Sequence, residues 1–242
     1  MTGTNLYLGD CMKVMALFED GCIDTAVFDP PYKTIGGGTP DDARRPTGVL
    51  ESNDTSMGIT HNTIQPETYL PELHRVLREQ AHVYMMTNFL GLKNGLMAKV
   101  MAAGFELHNL LVWKKNNATP NRWGMKNVEY TLLARKGKAF ALNDAGFKTA
   151  EEFDFPMDHN NPKSPKSHPT EKPVSLMQTY IENSTEPGET VLDLFMGSGA
   201  TGVAAQACGR KFIGIEMDPK YYRAAQIRMG FDDVIASHDD II

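Results

Sequence analysis

The chain predicts an α/β fold, a doubly wound, mainly parallel sheet of seven strands of Rossmann-like design, carried by one domain spanning residues 1–242. Three observations lead there. Short apolar runs of strand length alternate with helical patterns along most of the sequence. Near the C-terminal end one such run passes directly into a glycine-rich turn and then a helix. The chain has 242 residues, 41% hydrophobic and 22% charged, which suits one soluble domain with a sizeable core.

The strand-like runs fall at residues 5–8, 25–28, 82–86, 107–113, 129–133, 190–194 and 212–215. Between them, residues 66–78 place Tyr69, Leu70, Leu73, Val76 and Leu77 at helical spacing. The same period recurs at 92–103, 173–184, 200–208 and 221–229. Two segments break the rhythm. Residues 33–63, with Gly36-Gly37-Gly38, Pro40 and Pro46, read as a mobile loop that contacts substrate. Residues 138–167 are polar, end in Asn160-Asn161-Pro162-Lys163-Ser164-Pro165-Lys166, and read as a short insert that is a candidate target-recognition region.

Composition narrows the class. No apolar run approaches the roughly 20 residues that span a bilayer, and no basic-then-apolar leader opens the chain. Cys11, Cys22 and Cys208 are odd in number and lack metal-ligand spacing, so they read as reduced thiols in a cytoplasmic protein. His159 and His168 are not read as a metal pair, and no metal is expected. The net charge of −6 argues against a polyanionic partner, but its distribution does not. Between Lys114 and Lys172 stand 11 Lys/Arg and 7 Asp/Glu, a local +4 that leaves −10 for the remainder. A basic face on an acidic chain still attracts phosphate at close range.

Two motifs carry chemistry. Asp29-Pro30-Pro31-Tyr32 follows the run Thr25-Ala26-Val27-Phe28. The prolines remove two backbone donors and leave carbonyls facing outward, Asp29 accepts from an amino group, and Tyr32 offers a ring for stacking. A strand ending in a rigid turn is the plainer alternative. The second motif is Val191-Leu192-Asp193-Leu194-Phe195-Met196-Gly197-Ser198-Gly199-Ala200-Thr201-Gly202. Glu216 lies nineteen residues beyond Gly197, at the end of the next strand-like run, where an acid binds ribose in a nucleotide-binding crossover. The spacing Gly197-x-Gly199-x-x-Gly202 also keeps a nicotinamide dinucleotide, and hence an NAD-dependent oxidoreductase, in view.

Asp193-Leu194-Phe195-Met196-Gly197-Ser198-Gly199 resembles the cofactor motif of S-adenosylmethionine-dependent DNA amino-methyltransferases, and Asp29-Pro30-Pro31-Tyr32 resembles their catalytic motif. His168-Pro169-Thr170-Glu171-Lys172-Pro173 and Gly9-Asp10-Cys11 are similar to two further segments of the same enzymes. With the catalytic motif first and the cofactor motif last, the order resembles the circularly permuted β class. The resemblance implies a permuted methyltransferase fold and transfer of a methyl group from S-adenosylmethionine to N6 of a flipped adenine. Asp rather than Ser at position 29 favours adenine in this family; cytosine N4 or RNA is the alternative substrate.

The resemblance also distributes roles. Asp29, Pro30, Pro31 and Tyr32 are the catalytic set. Glu216 takes the ribose hydroxyls and Asp10 the adenine amino group of the cofactor. Phe195, Gly197 and Gly199 lie along the methionine moiety, Asp193 takes its ammonium, and Thr170 and Lys172 its carboxylate. Lys114, Lys115, Arg122, Lys126, Lys163 and Lys166 are candidates for contact with double-stranded DNA. Trp123 reads equally as an interface or a core aromatic. Members of the family are often dimers, so a homodimer of prokaryotic or phage type is the expectation, associated with the nucleoid through DNA. The insert of about 30 residues is short for strong sequence specificity.

Overall fold

The computed structural model describes residues 3–31, 64–119, 124–138, 140–144, 146–153 and 172–231. In chain order the strands are β1 (Thr4–Leu8), β2 (Ile23–Phe28), β3 (Leu77–Thr87), β4 (Glu106–Thr119), β5 (Lys126–Arg135), β6 (Ala150–Phe153), β7 (Thr190–Asp193) and β8 (Lys211–Glu216). The helices are α1 (Cys11–Met15), α2 (Pro66–Val76), α3 (Phe89–Lys93), α4 (Leu96–Ala102), α5 (Val174–Ser184), α6 (Ala200–Ala207) and α7 (Pro219–Arg228). The strands form one sheet in the order β1-β8-β7-β2-β3-β5-β4-β6. Among the described strands, only the pairings β3–β5 and β4–β5 are antiparallel, so β5 alone of them runs against the rest.

Strand alternation divides the core between the two faces. Ala26 and Phe28 of β2 and Val83 and Met85 of β3 join one cluster, together with Val14 and Met15 of α1, Leu70 and Leu73 of α2, and Val100 of α4. Val27, Tyr84 and Met86 point the other way, toward Leu176, Tyr180 and Ile181 of α5, Ala204 and Ala205 of α6, and Tyr222 and Ala225 of α7. Helices therefore cover both faces, as the alternating pattern predicts. The third glycine of the turn has its reason in this packing. A Cβ at Gly202 would collide with the Met229 sulfur and lie 2.8 Å from the Phe212 ring, so α6 could not sit this close to β8 and to the segment after α7.

The sheet has one strand more than the seven runs of the sequence. The addition, β6, lies inside the polar 138–167 segment and pairs with the edge of β4. Ala-Glu-Glu-Phe carries too little apolar pattern to announce a strand. Backbone pairing and the Trp113 Nε1 donor, 2.9 Å from the Phe153 carbonyl, hold it instead. The helix expected at 92–103 is two, α3 and α4, because Gly95 takes a left-handed φ of 83° between them. The expected loop at 33–63, together with Tyr32, lies outside the described residues, as do 154–167 of the insert and the four residues that follow it. Cys11, Cys22 and Cys208 are free thiols, and no helix among the described residues is long and apolar enough to cross a membrane.

A buried polar knot ties α5 to β3. His82 Nδ1 lies 2.9 Å and the Tyr84 hydroxyl 2.8 Å from the Ser184 hydroxyl. The Tyr84 ring stacks on Tyr180 at 4.6 Å. Burial pushes His82 down from 6.5 to about 4, with nearby cationic groups adding to the shift, so the ring is neutral in the fold. Below pH 6.5 the unfolded chain takes up a proton that the folded chain refuses until near pH 4. Stability present above that window is therefore lost as pH falls through it, by about 3 kcal/mol. Urea unfolding at several pH values should show the decline, and His82→Asn should flatten it. An equal decline in the variant would place the effect elsewhere.

Candidate active site

From β2 the chain crosses to β3 on one side, and from β7 it crosses to β8 on the other. The order reverses between β2 and β7, the switch point at which open α/β sheets form a crevice over the carboxyl ends of their strands. Thr25 and Ala26 pair with Val191 and Leu192, so Asp29 and the glycine turn emerge side by side although far apart in sequence. Beneath them Phe28 and Phe195 stand 6.1 Å apart, and the Tyr69 ring meets Phe195 edge-on at 5.2 Å. Phe195 is thus partly core and partly floor of the crevice.

The glycine turn is set by backbone geometry. Gly197 and Gly199 have φ of 51° and 81°, conformations that a Cβ strains. A Cβ at Gly199 would also stand 3.1 Å from that of Ala225. The Gly197 N–H donates to Glu216 Oε2 at 2.9 Å, and the Asp218 N–H donates to Oε1 at 2.8 Å. Both oxygens are held in place and each keeps a lone pair, the arrangement that receives a vicinal diol. Next door, Gly9 N–H bonds the Glu216 carbonyl at 2.9 Å, which carries Asp10 to the same rim. Asp10 Oδ1 caps α1 through Met12 N (2.8 Å) and Lys13 N (3.3 Å).

Carboxyl groups crowd this crevice. Asp193 is buried, accepts from Phe195 N at 3.0 Å, and is pushed up from 3.8 to about 7. Burial is the main cause, and the negative charges of Asp29 and Glu216 add to it against hydrogen bonds from Thr201 and Phe195. Burial likewise raises Glu216. A ligand bearing positive charge and a ribose would relieve this crowding, so the donor set fits a cationic nucleoside.

On the other side of Asp29 stands Lys172, 8% exposed, with its ammonium 2.5 Å from Oδ2. The same ammonium lies 3.6 Å from Glu129 Oε2, and Lys115 lies 3.1 Å from Glu129 Oε1. Lys172 therefore serves the Asp29 carboxylate here, where the family resemblance assigns it to a ligand carboxylate. Lys115 is turned inward beside Glu129 and Trp113, with only 10% of its side chain exposed, a poor place from which to reach a phosphate. Lys114 is exposed and paired with Glu152 at 3.2 Å, and Lys126 is exposed. Tyr32, Arg122, Trp123, His159, Lys163, Lys166, His168 and Thr170 lie outside the described residues. Pro30 and Pro31 continue β2 into the rim. Among the described residues no cluster of three or more His, Cys, Asp or Glu could hold a metal ion.

Sequence reading passed over Glu129 and Thr201. Glu129 had one signal, an acid at the head of the apolar run 129–133, which a solvated strand end explains equally well. Thr201 had none, because its tie to Asp193 depends on how α6 leaves the turn.

Comparison with known proteins agrees with this geometry. A family model described as DNA methylase matches residues 23–227. YubD of Escherichia coli (strain K12), a protein named as a methylase, is 33% identical over 223 residues, covering 91% of this chain and 88% of its own. The type II methyltransferase M.HinfI of Haemophilus influenzae is 28% identical over 245 residues, covering 91% and 67%. Among solved structures, the M1.HpyAVI–SAM complex superposes with a TM-score of 0.69 at 22% identity, covering 94% of this chain and 99% of the other. The cytosine-N4-specific PvuII DNA methyltransferase superposes with 0.73 at 18% identity, covering 97% and 89%. These two likenesses concern the fold. With the family model spanning most of the sequence and YubD aligned over nine-tenths of it, the chain belongs to the N6/N4 DNA methylase family.

Proposed function

We propose that the protein methylates the exocyclic N6 of adenine in double-stranded DNA, with S-adenosylmethionine as methyl donor. The observation that carries this reading is the placement of the Asp29 carboxylate one strand from the glycine turn at Gly197–Gly199. A group that accepts amine protons and a cradle for a nucleoside share one crevice. The side chains fit the donor. Glu216 would take the ribose hydroxyls, Asp10 the adenine amino group through its second oxygen, and Asp193 the ammonium, with Phe195 and the turn backbone along the methionine. When bound, S-adenosylmethionine supplies an electrophilic methyl group on a sulfonium that leaves as a neutral thioether.

The residues of the chain do the rest. The adenine amine is a weak nucleophile because its lone pair is delocalised into the ring. Hydrogen bonds from its two protons to Asp29 and to the Pro30 carbonyl pull the nitrogen toward tetrahedral geometry and aim the lone pair at the methyl group. Alignment of this kind contributes up to roughly 7–11 kcal/mol in ideal cases. Asp29 then receives the surplus proton, directly or through water. The target base must leave the duplex to reach the crevice, at a cost of a few kcal/mol, and stacking on Tyr32 offsets about 1–3 kcal/mol of it. Lys114 and Lys126, exposed on the hairpin that runs past the end of β3, would meet backbone phosphate. Arg122, Lys163 and Lys166 would extend that face.

Asp29→Ala should abolish methyl transfer while leaving the dissociation constant for S-adenosylmethionine nearly unchanged by calorimetry. Mass analysis of digested DNA should find N6-methyladenine in the wild-type reaction only; N4-methylcytosine instead would overturn the choice of base. The Asp193 assignment has a pH signature. Its carboxyl, raised to about 7 in the free protein, must lose its proton to receive an ammonium. Cofactor affinity should therefore rise about tenfold per pH unit below that value and level off above it. Asp193→Asn should bind weakly with no such slope, and a slope that survives the substitution would discard the role.

A further inference from the structure

Four alternating charges run along one end of the sheet: Lys115 on β4, Glu129 near the amino end of the reversed β5, Lys172 just before α5, and Asp29 after β2. Their separations are 3.1, 3.6 and 2.5 Å. Lys172 has a long stem with four rotors, and a single contact at its tip would leave the ammonium free to swing about Asp29. Glu129 supplies a second anchor. Glu129 itself hangs from a strand paired on both sides, with β3 and with β4. Its other oxygen is fixed by Lys115, whose ammonium also lies 5.9 Å from the Trp113 ring centre. Trp113 in turn is buried and anchored to β6 through its indole N–H.

We propose that Glu129 is a positioning residue for methyl transfer: with Lys115 as its counter-ion, it holds the Lys172 ammonium against Asp29 and so fixes the carboxylate that receives the substrate amine. The proposal rests on the reading of Asp29 given above. Charge balance supports it. Burial alone would push Glu129 up, yet the ammoniums of Lys172 and Lys115 outweigh it and hold the acid below its usual range, so Glu129 stays anionic. Two cations and two anions then sum to zero in a space mostly closed to water, where an unmatched charge is costly. Lys115 belongs to this balance rather than to a phosphate-binding face.

The test compares steady-state kinetics of the wild type, Glu129→Gln, Lys115→Met and the double variant on duplex DNA with S-adenosylmethionine. Glu129→Gln should lower kcat on the order of a hundredfold, as an ångström-scale misplacement of an aligned group does. KM for DNA and the dissociation constant for S-adenosylmethionine should stay within about threefold of wild type. The double variant returns the cluster to one cation and one anion, so adding Lys115→Met to Glu129→Gln should raise kcat. A merely structural role gives losses that accumulate instead. A Glu129→Gln kcat within about twofold of wild type, or a double variant slower than both singles, overturns the proposal. Melting temperatures identify a variant that fails to fold. In that event Lys115→Met alone decides: reduced kcat at unchanged KM supports the proposal, and unchanged kcat overturns it. If the wild type methylates no exocyclic amine, the functional reading has failed, and the variants are not needed to show it.

Discussion

The parallel pairing of β2 with β7 is the joint on which everything else depends. Only Thr25 and Ala26, opposite Val191 and Leu192, are in register across it. The joint is reinforced at its amino end, where Asp24 accepts from the Thr190 N–H and from Arg78 of β3, both at 2.8 Å. Arg78 also reaches Glu189, so three neighbouring strands share one ionic clasp. At the opposite end the same pairing sets the acid of one motif beside the glycines of the other. A register slip of one residue would turn Ala26 and Phe28 to the wrong face and separate the two half-sites together.

The crevice concentrates like charge in a way that no stability argument favours. Burial and the negative charges of Asp29 and Glu216 oppose ionisation of Asp193, whose carboxyl is pushed up to about 7. The fold tolerates this because backbone donors and Thr201 meet the carboxylates, and because Lys172 sits on Asp29. A cationic ligand then binds into a site already electrostatically prepared for it, with little reorganisation needed.

What the sequence made legible was local. Strands β1, β2, β7 and β8 each carry a short, mostly apolar stretch, and a turn leading to the glycines follows β7 directly, so type and order could be read from the sequence. Gly202 shows the limit of such reading: its spacing suggested a dinucleotide fingerprint, but its contacts with Phe212 and Met229 are those of close helix packing. Strand β6 was invisible because edge pairing requires backbone groups rather than apolar side chains. The roles of Glu129, Lys115 and Lys172 were hidden for another reason. Which lysine faces which acid depends on β5 entering the sheet in reverse between β3 and β4, a fact that no short window contains.

That β8 lies between β1 and β7 also bears on how the chain reaches this state. Among the described residues, strand β1 is paired with β8 alone. Its partner is separated from it by almost the whole sequence. Among the described strands, β1 and the β7 edge meet only through β8, so pairing β1 into this sheet closes the longest loop of any strand pair. A strand edge left open while so long a loop closes is a surface on which a second chain can pair, so slow closure here and a tendency to associate would go together.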